Sequence, residues 1–140
     1  HGTSRGLGDV YKRQPLGDLY KMEVYALARQ YNKRIGKDAV TESTLTKPPS
    51  AELAPDQKDE DSLPPYPVLD EMLRLHIEEG LDATEITAKG HDGVVVREVL
   101  TRLSKNEHKR WQMAPAPRVS KRAFGQGWRQ PLAARHDWRQ

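Results

Sequence analysis

LTKPPSAELAPDQKDEDSLPPY, residues Leu45 to Tyr66, carries Pro48, Pro49, Pro55, Pro64 and Pro65. Each proline fixes a backbone angle and removes an amide donor, so the stretch is neither a continuous helix nor an interior strand. It reads as a stiff loop that separates helical segments on its two sides. Lys47, Ser50 and the acids Glu52, Asp56, Asp59, Glu60 and Asp61 lie along it. Binding groups concentrate on loops held by rigid scaffolding, and this composition points to a charged, phosphate-bearing ligand. The run Asp59 to Asp61 has the charge of a magnesium site, but magnesium takes few carboxylates together with ligand phosphates, which disfavours that reading.

Upstream, Asp18 to Arg34 has helical spacing, with Tyr20, Val24, Leu27 and Tyr31 stepping by four, three and four. Asp18 is the expected N-cap, Lys33 and Arg34 suit the negative end, and Gly36 is the expected left-handed closing residue. Lys21 stands in the first turn, where a cation opposes the helix dipole, so something other than the helix must favour it. Taken alone, it reads as a solvated surface residue. Val40 to Leu45 has room for one short helical turn before the loop.

Downstream, Pro67 is expected to open a helix at a position where a missing amide costs nothing, and Gly80 to end it. Leu69, Met72 or Leu73, and His76 or Ile77 form its predicted buried stripe. His76 is expected to be a packed, hydrogen-bonded side chain rather than a ligand. Asp82 and Glu85 make a capping box for a short helix that ends near Gly90. Asp92 caps a further helix with Val95 or Val96, Val99 or Leu100, and Leu103 at helical spacing, closing on Asn106, Glu107, His108, Lys109 and Arg110. Three consecutive valines lower its intrinsic propensity, so packing must hold it. An imidazole and two cations at a helix end are suited to grip phosphates, although cations there also simply complement the dipole.

The 140 residues are 36% hydrophobic and 31% charged, with one Phe, three Trp and five Tyr. Such a composition supplies a thin core, and a short chain buries a smaller share of its surface than a long one. No cysteine is present, which excludes a disulfide framework, a thiolate nucleophile and cysteine-based zinc sites. That usage fits a cytoplasmic protein. No apolar run approaches the ~20 residues of a membrane span, so no membrane partner is expected. From Lys105 onward Lys and Arg outnumber Glu107 and Asp137 by seven, against a net charge of +3 for the whole chain. A basic end of this kind is a solvated segment or an anion-binding surface.

TKPPSAEL followed by DEDSLPPYPVLD, with PLGDLYK upstream and NEHKR and RVSKRAFGQG downstream, resembles the C-terminal part of the synthetase domain of NAD synthetases, most closely the glutamine-dependent kind. The resemblance covers about Pro15 to Pro131. It implies a mostly α segment of a parent α/β domain, a Rossmann-like parallel sheet of the adenine nucleotide alpha-hydrolase type whose strands lie upstream. The implied activity is ATP-dependent amidation of deamido-NAD to NAD through an acyl-adenylate, with ammonia supplied from glutamine by a separate nitrilase-like domain. By resemblance Lys21 and Ser50 contact ATP, and His108 and Lys109 contact deamido-NAD. A compact ammonium is a suitable point charge for phosphate. Many glutamine-dependent relatives have Tyr where this chain has His108. Read without the resemblance, Ser50 is a turn or N-cap residue.

The resemblance also implies magnesium, with its ligands upstream of this chain, a homo-oligomeric parent, and no catalytic or metal-ligating residue here. The family's SGGxDS phosphate loop does not occur in the sequence, so the chain is expected to be inactive alone. Residues 1–14, HGTSRGLGDVYKRQ, do not match what precedes PLGDLYK in the family. They resemble translated adaptor sequence and read as a non-native start to a truncated chain, a genuine flexible N-terminus being the other reading. Residues 132–140 are unmatched and are expected to be a disordered tail. Gln126 and Trp128 stand where the family's closing segment, commonly RAFGRGRRYP, has basic residues.

A helical nucleic-acid-binding domain is the competing reading, because residues 82–103 have the helix, Gly-containing turn and helix of a helix-turn-helix. Its second helix opens on Gly93, Val94, Val95 and Val96, which have no side chains suited to base edges, so no nucleic-acid partner is expected.

Overall fold

A computed structural model describes residues 15–46, 63–125 and 127–132. The described residues form helices and irregular segments, with no strand among them. The elements are α1 (Lys21–Ile35), α2 (Glu42–Thr46), α3 (Tyr66–Ile77), α4 (Ala83–Ala88), α5 (Gly93–Lys105) and α6 (Glu107–Trp111). They divide into two compact units, one made of residues up to 19 together with 72 onward, the other of residues 20–71.

In the unit of residues 20–71, α1 starts at Lys21, later than an Asp18 cap would place it. Its first-turn amides find acceptors elsewhere. The Tyr20 amide donates to the Glu23 carboxylate at 2.9 Å, and the Met22 amide donates at 2.7 Å to Asp70, a residue of α3. A carboxylate at this end satisfies an orphan donor and opposes the positive end of the helix dipole. Gly36 closes α1 at φ 68°, as its position predicts, and its amide donates to the Asn32 carbonyl. The Asn32 side chain then exchanges two hydrogen bonds with the Val40 backbone, at 2.7 and 3.0 Å, which sets the turn into α2. No residue of α1 is buried, and Leu27 and Tyr31 are 44% and 52% exposed.

The start of α3 lies in residues 20–71, where the Pro65 carbonyl accepts from the Val68 and Leu69 amides, so the helix begins one residue before Pro67 and still loses no bond to it. The other unit has the core. Met72, Leu75 and Ile77 are buried in this unit, with Leu75 an addition to the predicted stripe and Leu73 only half-buried. Gly80, at φ 76°, lets the Leu81 amide turn back to the Leu75 carbonyl at 3.1 Å. The Asp82 and Glu85 capping box forms in both directions, at 2.8 and 2.9 Å. Asp92 caps α5 through the amides of Val94 and Val95. α4 packs on α5, and Ile86, Val96, Val99 and Leu100 fill the space between the elements with at most 4% exposure each. Burial of that valine-rich face supplies what intrinsic propensity withholds.

The predicted last helix is two helices. α5 ends at Lys105, and the Asn106 side chain donates back to the Arg102 carbonyl at 2.8 Å, breaking the axis before α6. Asn competes with the backbone for such bonds, which favours an end or a bend over a helix interior. Beyond α6 the chain has no regular element among the described residues.

Candidate functional site

Lys21 lies in the first turn of α1, with its ammonium 5.3 Å from the Tyr25 ring centroid and 5.7 Å from that of Tyr66. The faces of both rings and the neighbouring Asp70 carboxylate favour a cation that the helix dipole opposes. Burial pushes the Asp70 carboxyl above its ordinary value, against the hydrogen bonds of the Met22 and Lys21 amides and the charge of Lys21; Glu23 adds to the rise. Asp70 is thus a cap and a counter-charge that local sequence reading missed. It stands 48 residues from the amide it accepts, so no local pattern reports the pairing.

Ser50, Lys47, Glu52 and the Asp59 to Asp61 run lie outside the described residues, as do residues 1–14 and 133–140. Among the described residues, no group of three or more His, Asp or Glu converges as a metal site.

In the other unit, α6 splits the NEHKR block by its own geometry. Residues three apart share a helix face, and Glu107 and Arg110 turn inward at 3% and 4% exposure. His108 and Lys109, between them, are exposed. The His108 ring bonds through Nδ1 with the Lys105 carbonyl at 3.1 Å. Both residues expected to meet a dinucleotide therefore lie on the exposed side of α6.

The buried pair is closely held. Arg110 donates to Glu107 twice, from Nε at 2.9 Å and Nη2 at 3.1 Å, and Nη2 donates again to the Trp128 carbonyl at 2.5 Å. Its guanidinium carbon lies 4.7 Å from the Phe124 ring centroid and 4.3 Å from that of Trp128. Glu107 also accepts from the Gln130 amide at 3.1 Å. Burial pushes the Arg110 guanidinium below its ordinary value, the Glu107 bonds oppose this, and Arg129 adds a smaller repulsion. A guanidinium titrates far above neutral pH, so Arg110 keeps its charge.

Asp18 is the second residue whose role differs from expectation. Its carboxylate is 5% exposed and accepts from the amides of Val119 at 2.7 Å, Ser120 at 2.9 Å and Phe124 at 2.7 Å, with the Ser120 hydroxyl adding contacts at 2.9 and 3.0 Å. It does not cap α1 because its oxygens are used on a segment a hundred residues away in sequence. Burial raises the Asp18 carboxyl, but these bonds to its charged form outweigh that and hold it below its ordinary value.

His76 is buried, as expected, with Nδ1 2.7 Å from the Leu81 carbonyl and its ring edge-on to Trp128 at 5.4 Å. Burial pushes its pKa down, with the Leu81 contact opposing. Trp128, which replaces a basic residue of the family pattern, is therefore a packing residue shared by His76 and Arg110. Gln126 lies outside the described residues. The α4 and α5 pair has helix-turn-helix order, but its second helix presents Val94, 67% exposed, at its start.

The family model for NAD synthase matches residues 6–113. The glutamine-dependent NAD(+) synthetase of Thermotoga maritima is 51% identical over 118 residues, covering 84% of this chain and 20% of that protein. The protein of the same name from Aquifex aeolicus is 47% identical over 118 residues, with the same coverage of 84% and 20%. A solved structure of glutamine-dependent NAD+ synthetase from Acinetobacter baumannii in complex with ADP is 36% identical, with a TM-score of 0.49, covering 82% of this chain and 19% of that one. The chain spans about a fifth of the length of the curated relatives it matches. With more than half of its residues under the family model, this chain belongs to the NAD synthase family.

Proposed function

We propose that the chain is the C-terminal part of the synthetase domain of a glutamine-dependent NAD synthetase and contributes contacts to ATP and deamido-NAD. The match over residues 6–113, with relatives of that name at 51% and 47% identity, carries the reading. The exposure of His108 and Lys109 on α6 supports their contact with deamido-NAD. Lys21, with Ser50 on the proline-rich loop, serves ATP; the rings of Tyr25 and Tyr66 orient its ammonium. In this reading residues 15–131 belong to the synthetase domain. The parent is a cytoplasmic homo-oligomer whose Rossmann-like sheet and magnesium ligands lie upstream.

The chemistry has two steps. A free carboxylate is a poor acyl donor, so a deamido-NAD carboxylate oxygen first attacks the α-phosphorus of ATP, and the bond to the leaving pyrophosphate breaks. Ammonia then attacks the acyl carbon, the bond to AMP breaks, and the nitrogen loses a proton to give the amide. This chain's share is electrostatic and orienting. Lys21 is a point charge for ATP phosphate, and Lys109 with His108 holds the dinucleotide so that its carboxylate is presented.

A coupled NADH assay with ATP, magnesium, ammonia and deamido-NAD tests the division of labour. The 140-residue chain alone is expected to give no turnover, because the SGGxDS phosphate loop is not in its sequence; turnover near that of a full-length relative refutes this. In the full-length enzyme, Lys21→Ala is expected to raise KM for ATP and Lys109→Ala to raise KM for deamido-NAD. Unchanged kinetics in both variants refute the assigned contacts.

A further inference from the structure

Two of the five residues in NEHKR, His108 and Lys109, are exposed, and two, Glu107 and Arg110, are withdrawn from solvent. We propose that the withdrawn pair, Glu107 and Arg110, is a positioning device: it sets the rotation of α6, and with it the direction in which His108 and Lys109 project toward the dinucleotide. The inference rests on the reading of His108 and Lys109 given above.

A helix of five residues has almost no stability of its own, so its orientation must come from what its side chains grip. Arg110 grips in two dimensions. The paired bonds to Glu107 hold the guanidinium along one edge, and its central carbon lies over the Phe124 and Trp128 rings at 4.7 and 4.3 Å. The bonds to the Trp128 carbonyl and from the Gln130 amide then tie the same pair to the irregular segment after Phe124. Within the pair, Arg110 Nη1 has no hydrogen-bond partner among the described residues. The pair therefore joins helix and segment, beside a second contact in which the Arg129 guanidinium lies 4.2 Å from the Trp111 ring centroid.

Stability alone does not require this arrangement. A buried ion pair loses much of its Coulomb gain to desolvation, and apolar residues of similar volume are often as stable or more so. What the apolar replacement lacks is direction. A planar fork bonded along one edge specifies a rotation, whereas dispersion contacts tolerate several. A misplacement of about 1 Å costs on the order of a hundredfold where a reacting group must be aligned.

The test compares Arg110→Lys, Glu107→Gln and the double variant Glu107→Leu/Arg110→Met in the full-length synthetase. The double variant is expected to melt close to the parent enzyme, yet to show a KM for deamido-NAD raised on the order of tenfold to a hundredfold, with KM for ATP unchanged. A folded double variant with parental KM for deamido-NAD overturns the proposal. If the double variant does not fold, Arg110→Lys decides, since it keeps the charge and loses the fork; an unchanged KM there is equally fatal. Lys109→Ala separates the two ideas. Should it leave KM for deamido-NAD unchanged, the dinucleotide reading fails, and amide exchange in the 140-residue chain without ligand decides on the pair. Faster exchange at residues 107–111 and Gln130 in Glu107→Gln supports its ordering role, and unaltered protection overturns it.

Discussion

Residues 20–71 and the unit that begins again at Met72 draw on the same kinds of helix, yet they dispose of apolar surface in opposite ways. Met72, Ile77, Ile86, Val96 and Leu100 are at most 2% exposed. In 20–71 only Leu45 and Leu69 are buried among the described residues, and α1 leaves Met22, Leu27 and Tyr31 open. Amphipathic spacing is equally clear in both, so periodicity reports which face is apolar and not whether anything covers it. The units also use their long-range carboxylates differently. Asp18 accepts from three backbone amides and a hydroxyl and is held ionised, whereas burial outweighs the bonds made by Asp70 and raises its pKa.

The largest expected contrast is in the core. Met72→Ala should cost about 2–5 kcal/mol, from lost transfer energy and the cavity left behind, whereas Leu27→Ala should stay within about 0.5 kcal/mol. Urea denaturation followed by tryptophan fluorescence measures both; equal losses would mean that α1 has a buried face after all.

Asp18→Ala comes next. It strips acceptors from the amides of Val119, Ser120 and Phe124, and buried donors left unmatched cost about 1–3 kcal/mol. Because the folded-state pKa of Asp18 lies below the ordinary carboxyl value of 3.8, its charge-linked stability is present above that pH and is lost as pH falls through the depressed value. His76 adds a loss of the same sign at higher pH. Its neutral form is favoured by burial, so protonation of the unfolded chain below about 6.5 draws the equilibrium toward unfolding. Asp70 has the reverse sign, its raised pKa making the folded state less favourable as the group ionises. An acid titration of stability in Asp18→Asn should lose its lowest step and keep the His76 step. If the lowest step persists, Asp18 is not its source.

The smallest effect belongs to the cap. Asp70→Ala should cost about 0.5–2 kcal/mol, the range for losing a helix N-cap, and should fray the start of α1. Amide exchange at Met22 reads this directly. No change in its protection would mean that the Glu23 contact with the Tyr20 amide is enough to hold that end.

Caps built from neighbours were legible in advance. Asp82 with Glu85, Asp92 before Val94, and Gly36 at positive φ are all interactions within a few residues, so spacing contains the information. The Asp18 cap failed for the opposite reason. N-cap preference is a local statistic, and a carboxylate that finds three amides and a hydroxyl about a hundred residues away gives up the local role. In NEHKR the sequence offers an imidazole and two cations at a helix end, and only burial separates Glu107 and Arg110, which pair inside the unit, from His108 and Lys109, which face solvent.

The sequence by itself determined that the chain is helical on both sides of a proline-rich stretch, where most helices begin and end, and which family it resembles. Those properties follow from backbone chemistry and short-range spacing. The long-range pairings were settled by packing: Asp18 with residues 119–124, Asp70 with the first turn of α1, and Arg110 between Phe124 and Trp128. A buried charge takes whichever donors reach it within hydrogen-bond distance, and sequence separation has no bearing on that.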